Sequence, residues 1–291
     1  MEWSKTEGKS SDHKPKDSKI IHKETHLKDL PETPYISYIP RKECLRTFDV
    51  LKQVKSDSTI NLPMQRGNIN DINVVLCRLP ENKYFCYCCR AFDEIGTVFC
   101  IDSHNHLEIF ESELAYYQSF CVYCDGFVYV LGGNNKSSPL SQCIRFNLFK
   151  KRWERRANFV NQIYYYSGGQ IQGFIIYSAM NGVNIYDPFA NSHQEVLSNL
   201  SISKLVFAGN CKGYCLEFSG GIYESDFNNI FAWKHVGKLY FKFSPLLGYE
   251  VCIQNNIYFT CWPYVYKFSL NKYTVEEYFS FENPESYLKA I

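Results

Sequence analysis

The chain has no run of eighteen consecutive apolar residues. Its most apolar stretches are broken by Gly, Asn, Asp or Gln, which excludes a membrane-spanning helix. An excess of charge is also missing, since 31 Lys and Arg face 30 Asp and Glu for a formal net charge of +1. No global field therefore draws the chain to nucleic acid or to an anionic membrane, and neither is expected as a partner. There is no phosphate-cradling Gly-rich loop followed by Lys, no zincin helix and no serine-hydrolase elbow. The N-terminus lacks the apolar core of a signal peptide, and the 13 cysteines, an odd number, lie inside strand-like runs instead of at framework spacings. These absences predict reduced thiols, a cytoplasmic location, no cofactor, no resident metal and no catalysis.

What is present is aromatic. Phe, Trp and Tyr make up 17% of the residues, and such side chains favour pleated, half-buried surfaces. At 291 residues the chain can bury a core without disulfides or metal. Residues 1–34 mix Lys, Glu, Asp, Ser and Pro with scattered hydrophobes, and predict a disordered, charge-balanced tail. From Tyr35 to the C-terminus, short aromatic or β-branched runs alternate with turn residues, as expected of one all-β domain over 35–291.

Those runs repeat. Arg145–Trp153, Asn184–His193 and Arg46–Lys55 each read as a strand ending in an aromatic residue and Asp or Asn, a polar turn, and a second strand. Weaker copies surround Phe99, Tyr223 and Phe268. With Phe48, Phe99, Phe146, Tyr186, Tyr223 and Phe268 as anchors, the separations are 51, 47, 40, 37 and 45 residues, close to the length of a four-stranded propeller blade. Upstream of five anchors a hairpin turn is expected, at Glu81-Asn82, Asp125-Gly126, Gln172-Gly173, Lys212-Gly213 and Asn255-Asn256.

The unit from about Tyr116 to Ala157 resembles a kelch repeat. It carries a hairpin ending in Gly132-Gly133, the aromatic-Asn strand end Phe146-Asn147, and Trp153 on the last strand. Elsewhere the pattern is worn: His193 stands near the Trp position of the next unit, and Trp233 is displaced downstream of Gly220-Gly221. The resemblance implies a six-bladed β-propeller with four-stranded antiparallel blades, closed by a return of Ser286–Ile291 to a first blade that lacks its innermost strand. A two-sheet sandwich would explain the strands but not a recurring four-strand unit.

Several clusters admit a chemical reading and a plainer one. Cys86, Cys88, Cys89, Cys121 and Cys124, with Cys100, His104 and His106 between them, have a zinc-like density, but period-two alternation turns Cys121 and Cys124 to opposite faces, so small buried hydrophobes are expected. Lys150–Arg156 looks like a basic patch but falls on an outermost strand, where charge protects an edge. Asp102 near His104, and Tyr164-Tyr165-Tyr166, line up no base, nucleophile and oxyanion donor.

Kelch propellers commonly hold partners on loops joining the second and third strands of each blade. Here those loops would display Arg90, Phe92 and Asp93, then Asn134, Asn135, Lys136 and Ser137, then Asn181. The expected function is binding of a protein or peptide, with Arg90 and Lys136 favouring an acidic partner. The chain could equally serve as a subunit of a larger assembly such as a ubiquitin ligase, although 34 residues before the domain cannot hold the usual adaptor. The rival reading is a propeller enzyme, a hydrolase or lyase with a polar axial cleft.

Overall fold

The computed structural model describes residues 35–38, 44–49, 54–61, 72–90, 96–101, 106–112, 119–135, 138–159, 167–179, 182–198, 202–208, 212–217, 219–226, 232–238, 250–261 and 264–280. The expected tail over 1–34 and the expected return strand Ser286–Ile291 lie outside these residues.

Within them the chain is an all-β propeller. Blade A is β4 (Ile72–Arg78), β5 (Tyr84–Arg90), β6 (Gly96–Ile101) and β7 (Leu107–Ser112). Blade B is β8 (Phe120–Cys124), β9 (Phe127–Leu131), β12 (Cys143–Asn147) and β13 (Arg152–Arg155), with a small hairpin, β10 (Asn134–Asn135) and β11 (Ser138–Pro139), set between β9 and β12. Blade C comprises β14 (Gly168–Ile171), β15 (Phe174–Ala179), β16 (Gly182–Asp187) and β17 (Ser192–Ser198). Blade D comprises β18 (Ile202–Ala208), β19 (Lys212–Glu217), β20 (Gly221–Asp226) and β21 (Trp233–Lys238). Blade E comprises β22 (Glu250–Ile253), β23 (Asn256–Cys261), β24 (Tyr264–Ser269) and β25 (Thr274–Ser280). In every blade the four strands pair in chain order and antiparallel. The first strands β4, β8, β14, β18 and β22 neighbour one another in series and so form the inner wall.

Among the described residues the four-stranded blade occurs five times, not the expected six. The unit around Phe48 is instead a three-stranded sheet of β1 (Tyr35–Tyr38), β2 (Cys44–Asp49) and β3 (Val54–Asn61), whose β1 lies against β22. The miscount has a simple cause: an aromatic anchor with its polar turn specifies two adjacent strands, not a whole blade. The other five anchors, Phe99, Phe146, Tyr186, Tyr223 and Phe268, all sit on the third strand of a blade.

Period-two alternation gives each blade two apolar faces, and the core is the set of seams between them. Val75, Phe85, Tyr87 and Val98 of blade A meet Cys121, Val128, Ile144 and Phe146 of blade B. Val122, Tyr129 and Leu131 meet Ile175, Tyr177 and Tyr186 across the B–C seam. Ile176, Val183 and Ile185 of blade C meet Leu205 and Cys215 of blade D, and Tyr214, Leu216 and Ile222 of blade D meet Ile257, Phe259 and Phe268 of blade E. Each second strand contributes one buried tyrosine, in chain order Tyr87, Tyr129, Tyr177, Tyr214 and Tyr258.

The hairpin turns divide into hits and shifts. Asp125-Gly126 (φ 49° and 83°) and Gln172-Gly173 (φ 50° and 83°) are two-residue turns with both residues left-handed, as the right-handed strand twist requires. At the third site the turn is a short 3-10 segment, Pro80–Asn82, with Glu81 at φ 60°. Lys212 and Gly213 belong to β19, so that connection comes earlier, and Ile253 pairs with Asn256, so Gln254-Asn255 forms the last turn.

A clasp recurs at the turn between third and fourth strands. In blade B the Asn147 side chain accepts from the backbone N–H of Phe149 (3.0 Å) and Lys150 (2.8 Å). In blade C Asp187 does the same for Phe189 (2.8 Å) and Ala190 (2.9 Å). Each turn then closes through a left-handed residue, Lys151 (φ 51°), Asn191 (φ 54°) or, in blade E, Tyr273 (φ 52°). Left-handed backbone costs a side-chain-bearing residue about 1–2 kcal/mol. In all three turns that residue bonds to the preceding blade or the segment leaving it. Lys151 Nζ reaches Glu108 at 2.6 Å, the Ala157 N–H donates to Asn191 Oδ1 at 2.9 Å, and the Tyr273 hydroxyl donates to Glu224 at 3.1 Å.

A second clasp lies beside the first. Trp153 stands opposite Phe146, and His193 stands opposite Tyr186 in the same register. Trp153 Nε1 donates to the Glu111 carbonyl of blade A (3.1 Å), and His193 Nε2 donates to the Ala157 carbonyl (2.9 Å). Because Ala157 O can only accept, the His193 proton is on Nε2, and Nδ1 accepts from the Tyr177 hydroxyl at 3.1 Å. The ring stacks on Tyr186 and meets Phe159 edge-on, while Arg156 bonds the Tyr186 hydroxyl from the other side.

Burial lowers the pKa of His193 below the ordinary imidazole range, and the bond to Ala157 only partly opposes this. The neutral ring is therefore the native form. Its contribution to stability is complete above about pH 6.5, the unfolded value, and is lost as pH falls towards the depressed folded value. The thermal midpoint should drop between pH 7 and pH 5, and His193→Gln should flatten that slope in melts followed by circular dichroism.

Candidate partner-binding face

Antiparallel meandering puts the connections between second and third strands at one end of every blade, and the tight turns at the other. Arg90 ends β5, opposite Ile72. Phe92 and Asp93, beyond it, lie outside the described residues, as do Lys136, Ser137 and Asn181. Asn134 and Asn135 form β10, paired with Pro139 and Ser138 of β11. Of the expected residues, Arg90, Asn134 and Asn135 thus lie at the second-to-third-strand end of blades A and B.

Local chemistry explains why blade B carries the largest of these connections. Gly132 (φ 60°) and Gly133 (φ 100°) turn the chain out of β9 in a conformation that side chains resist. Two backbone bonds then tie the insert down, Gly132 N–H to Gln142 O (3.0 Å) and Leu140 N–H to Gly133 O (2.7 Å). The β10–β11 hairpin is therefore a two-stranded sheet of its own, outside the four strands of blade B and tied to it at the base. The double glycine, read as a strand end, is a launching point.

Blade D adds a feature that sequence reasoning did not assign to this face. In its second connection Ser219 Oγ donates to Glu217 at 2.6 Å, and Gly220 (φ 97°) bonds back to Glu217 O at 2.9 Å. A Cβ on Gly221 would come within 2.6 Å of the Glu217 carboxylate, so glycine is needed for that side chain to fold back. The signal was the second glycine pair, Gly220-Gly221, which leads into the third strand of blade D, whereas Gly132-Gly133 leads out of the second strand of blade B. An acidic group thus stands on the second-to-third-strand connection of blade D.

The cysteines behave as core residues. Cys86 and Cys88 share one face of β5, while Cys121 and Cys124 belong to the A–B and B–C seams, on opposite faces of β8. Burial pushes the thiols of Cys77, Cys88 and Cys143 up to about 12, and raises those of Cys86 and Cys121 as well. Such thiols are poor nucleophiles and poor metal ligands. Among the described residues no three His, Cys, Asp or Glu side chains converge on a metal-sized site, and no helix is long and apolar enough to cross a membrane. His106 is exposed, and Asp102, His104 and Tyr164–Tyr166 lie outside the described residues.

The basic run Lys150–Arg156 lies at the outer edge of blade B, as expected. β13 ends the sheet, and Glu154 threads the run with ion pairs to Arg145 (2.6 Å) and Arg152 (3.3 Å). Arg145 also lies 3.9 Å over the Phe127 ring and bonds the Tyr129 hydroxyl. Arg145, Arg152 and Glu154 are thus paired on the blade's own edge, in keeping with edge protection, while Lys151 and Arg156 reach the neighbouring blades.

No family model matches this chain, and no curated protein matches it. The kelch resemblance rests on blade B, where Gly132-Gly133, Phe146-Asn147 and Trp153 hold the places described above. The propeller itself rests on strand order and on the seams.

Proposed function

We propose that this chain is a diverged kelch-type propeller that works by binding another protein or a peptide, without catalysing a reaction. The partner is held by the connections between second and third strands of the blades. The observation that carries this reading is the β10–β11 hairpin, an insertion launched by two left-handed glycines and pinned to the end of blade B. Propeller blades need no such element to pack, so it adds surface instead of core. Arg90 and Lys136 favour carboxylates on the partner, and Glu217, on the corresponding connection of blade D, would accept a cation.

The test is affinity capture with mass spectrometry, comparing the wild-type chain with Arg90→Ala/Asn135→Ala. Loss of a specific interactor, at least about tenfold in recovered amount, is expected for the double variant if these positions hold hot-spot contacts. Undiminished capture of every interactor would remove this face from consideration.

A further inference from the structure

Two large apolar side chains stand out in water on the opposite end of the blades. Phe189 is 100% exposed and Phe149 is 92% exposed. They occupy the same position in the third-to-fourth-strand turns of neighbouring blades, two residues after the capping Asp187 and Asn147. Single exposed hydrophobes are ordinary on protein surfaces. The same residue at the same tip, on adjacent blades, is a pattern.

Both tips are held stiffly. The capping side chain takes two backbone N–H groups of each turn, and the left-handed residue that closes it, Lys151 or Asn191, is clasped to the blade before it. A rigid turn loses little freedom when its tip is buried by a partner, which favours tight docking. In blade E the corresponding residue is Asn271, so the phenylalanine is not demanded by the turn itself.

Charge indicates what covers these tips. Three exposed cations, Lys150, Lys151 and Arg152, follow Phe149. Lys151 and Arg152 have carboxylates in reach, Glu108 and Glu154, whereas Lys150 has none among the described residues. The exposed acids Glu108 and Asp125 at the same end interrupt any uniform positive field, which disfavours an anionic bilayer and favours a surface of mixed, placed charge. We infer that Phe149 and Phe189 together form a second docking site, for a protein partner offering two apolar sockets with carboxylates around the one that receives Phe149.

The site faces away from the β10–β11 hairpin, so the two can be tested apart. A photo-crosslinking residue, p-benzoylphenylalanine, is placed at position 149 or 189 of the full chain in cells that express it. One and the same protein is expected to cross-link from both positions. Purified, that protein should bind Phe149→Ser/Phe189→Ser at least about tenfold more weakly than wild type, as hot-spot anchors do. It should also bind Lys150→Glu/Arg152→Glu more weakly, with a salt dependence that this variant loses, and Arg90→Ala/Asn135→Ala as well as wild type. The thermal midpoint of Phe149→Ser/Phe189→Ser should match wild type, since neither ring is buried. Adducts with a second copy of the chain or with lipid alone, different proteins at the two positions, no protein adduct, or indifference to the serine or charge-reversal variant would each overturn the inference. Failure of the Arg90→Ala/Asn135→Ala comparison above bears only on the other end of the blades.

Discussion

Truncating Tyr177 to alanine is expected to destabilise the protein by about 3–5 kcal/mol, the range for deleting a fully buried aromatic ring. Tyr177 is on the second strand of blade C, and its ring meets Phe159 at 5.1 Å and His193 at 5.9 Å between centroids. It belongs to the B–C seam with Tyr129, Leu131 and Tyr186, so its removal opens a void bounded by two blades. The surrounding β-sheets are fixed by their ladders and can collapse only partly. Tyr177→Phe keeps the ring and removes only the donor to His193 Nδ1, which should cost about 1–2 kcal/mol. Urea unfolding of the two variants measures both values. A loss below about 1 kcal/mol for the alanine variant would show that the B–C seam is not packed as described.

Gly168→Ala is expected to be nearly as damaging, by a different route. A Cβ there would lie 2.3 Å from the Ile176 carbonyl oxygen, 2.9 Å from the Tyr177 Cα and 3.1 Å from the Phe120 ring. Two of these three obstacles are backbone in the paired strand β15, so the clash is relieved only by parting β14 from its neighbour. The cost should be about 3 kcal/mol, the upper end of ordinary overpacking. Gly126→Ala is the control. Nothing lies within 4 Å of its added Cβ, but its φ of 83° disfavours a side chain. There the loss should be about 1–2 kcal/mol, the strain of the left-handed backbone alone. Equal losses at the two positions would argue against the close approach of β14 to β15.

Much of this architecture was readable from residue order. Five anchors fall on third strands, and three of them, Phe146, Tyr186 and Phe268, are followed by Asn, Asp or Ser at the point where the strand becomes a turn. The cysteine pairs were legible as well, since alternation alone separates Cys121 from Cys124. Other features left no usable trace. The five buried second-strand tyrosines are hidden in a chain where aromatic residues are common everywhere. The left-handed turn residues are Lys151, Asn191 and Tyr273, with no glycine to announce them, and only their bonds to the preceding blade explain why they are tolerated. Lys212-Gly213 looked like a turn because Gly is a turn residue, yet Gly213 is buried in β19 opposite Ser225. As for the candidate binding face, its connections could be placed from the strand pattern, but Glu217 and Ser219 could not, since their pairing depends on how one glycine lets a carboxylate fold back.

The clasps described above also bear on how the chain can be cut. Tyr186 and Asn191 of blade C are satisfied by Arg156 and Ala157, which leave blade B, while Tyr273 of blade E is satisfied by Glu224 of blade D, held also by Lys212 at 2.8 Å. Burial opposes ionisation of Glu224, but its donors outweigh that and keep the carboxylate charged. The sheets are therefore not the modules. A fragment that starts at Gly168 would contain every strand of blade C and yet strip the polar groups at its rim of their partners, whereas one that starts before Arg156 would carry them along. For expression of fragments, grafting of blades or circular permutation, the natural joints therefore do not coincide with the boundaries that the sheets suggest.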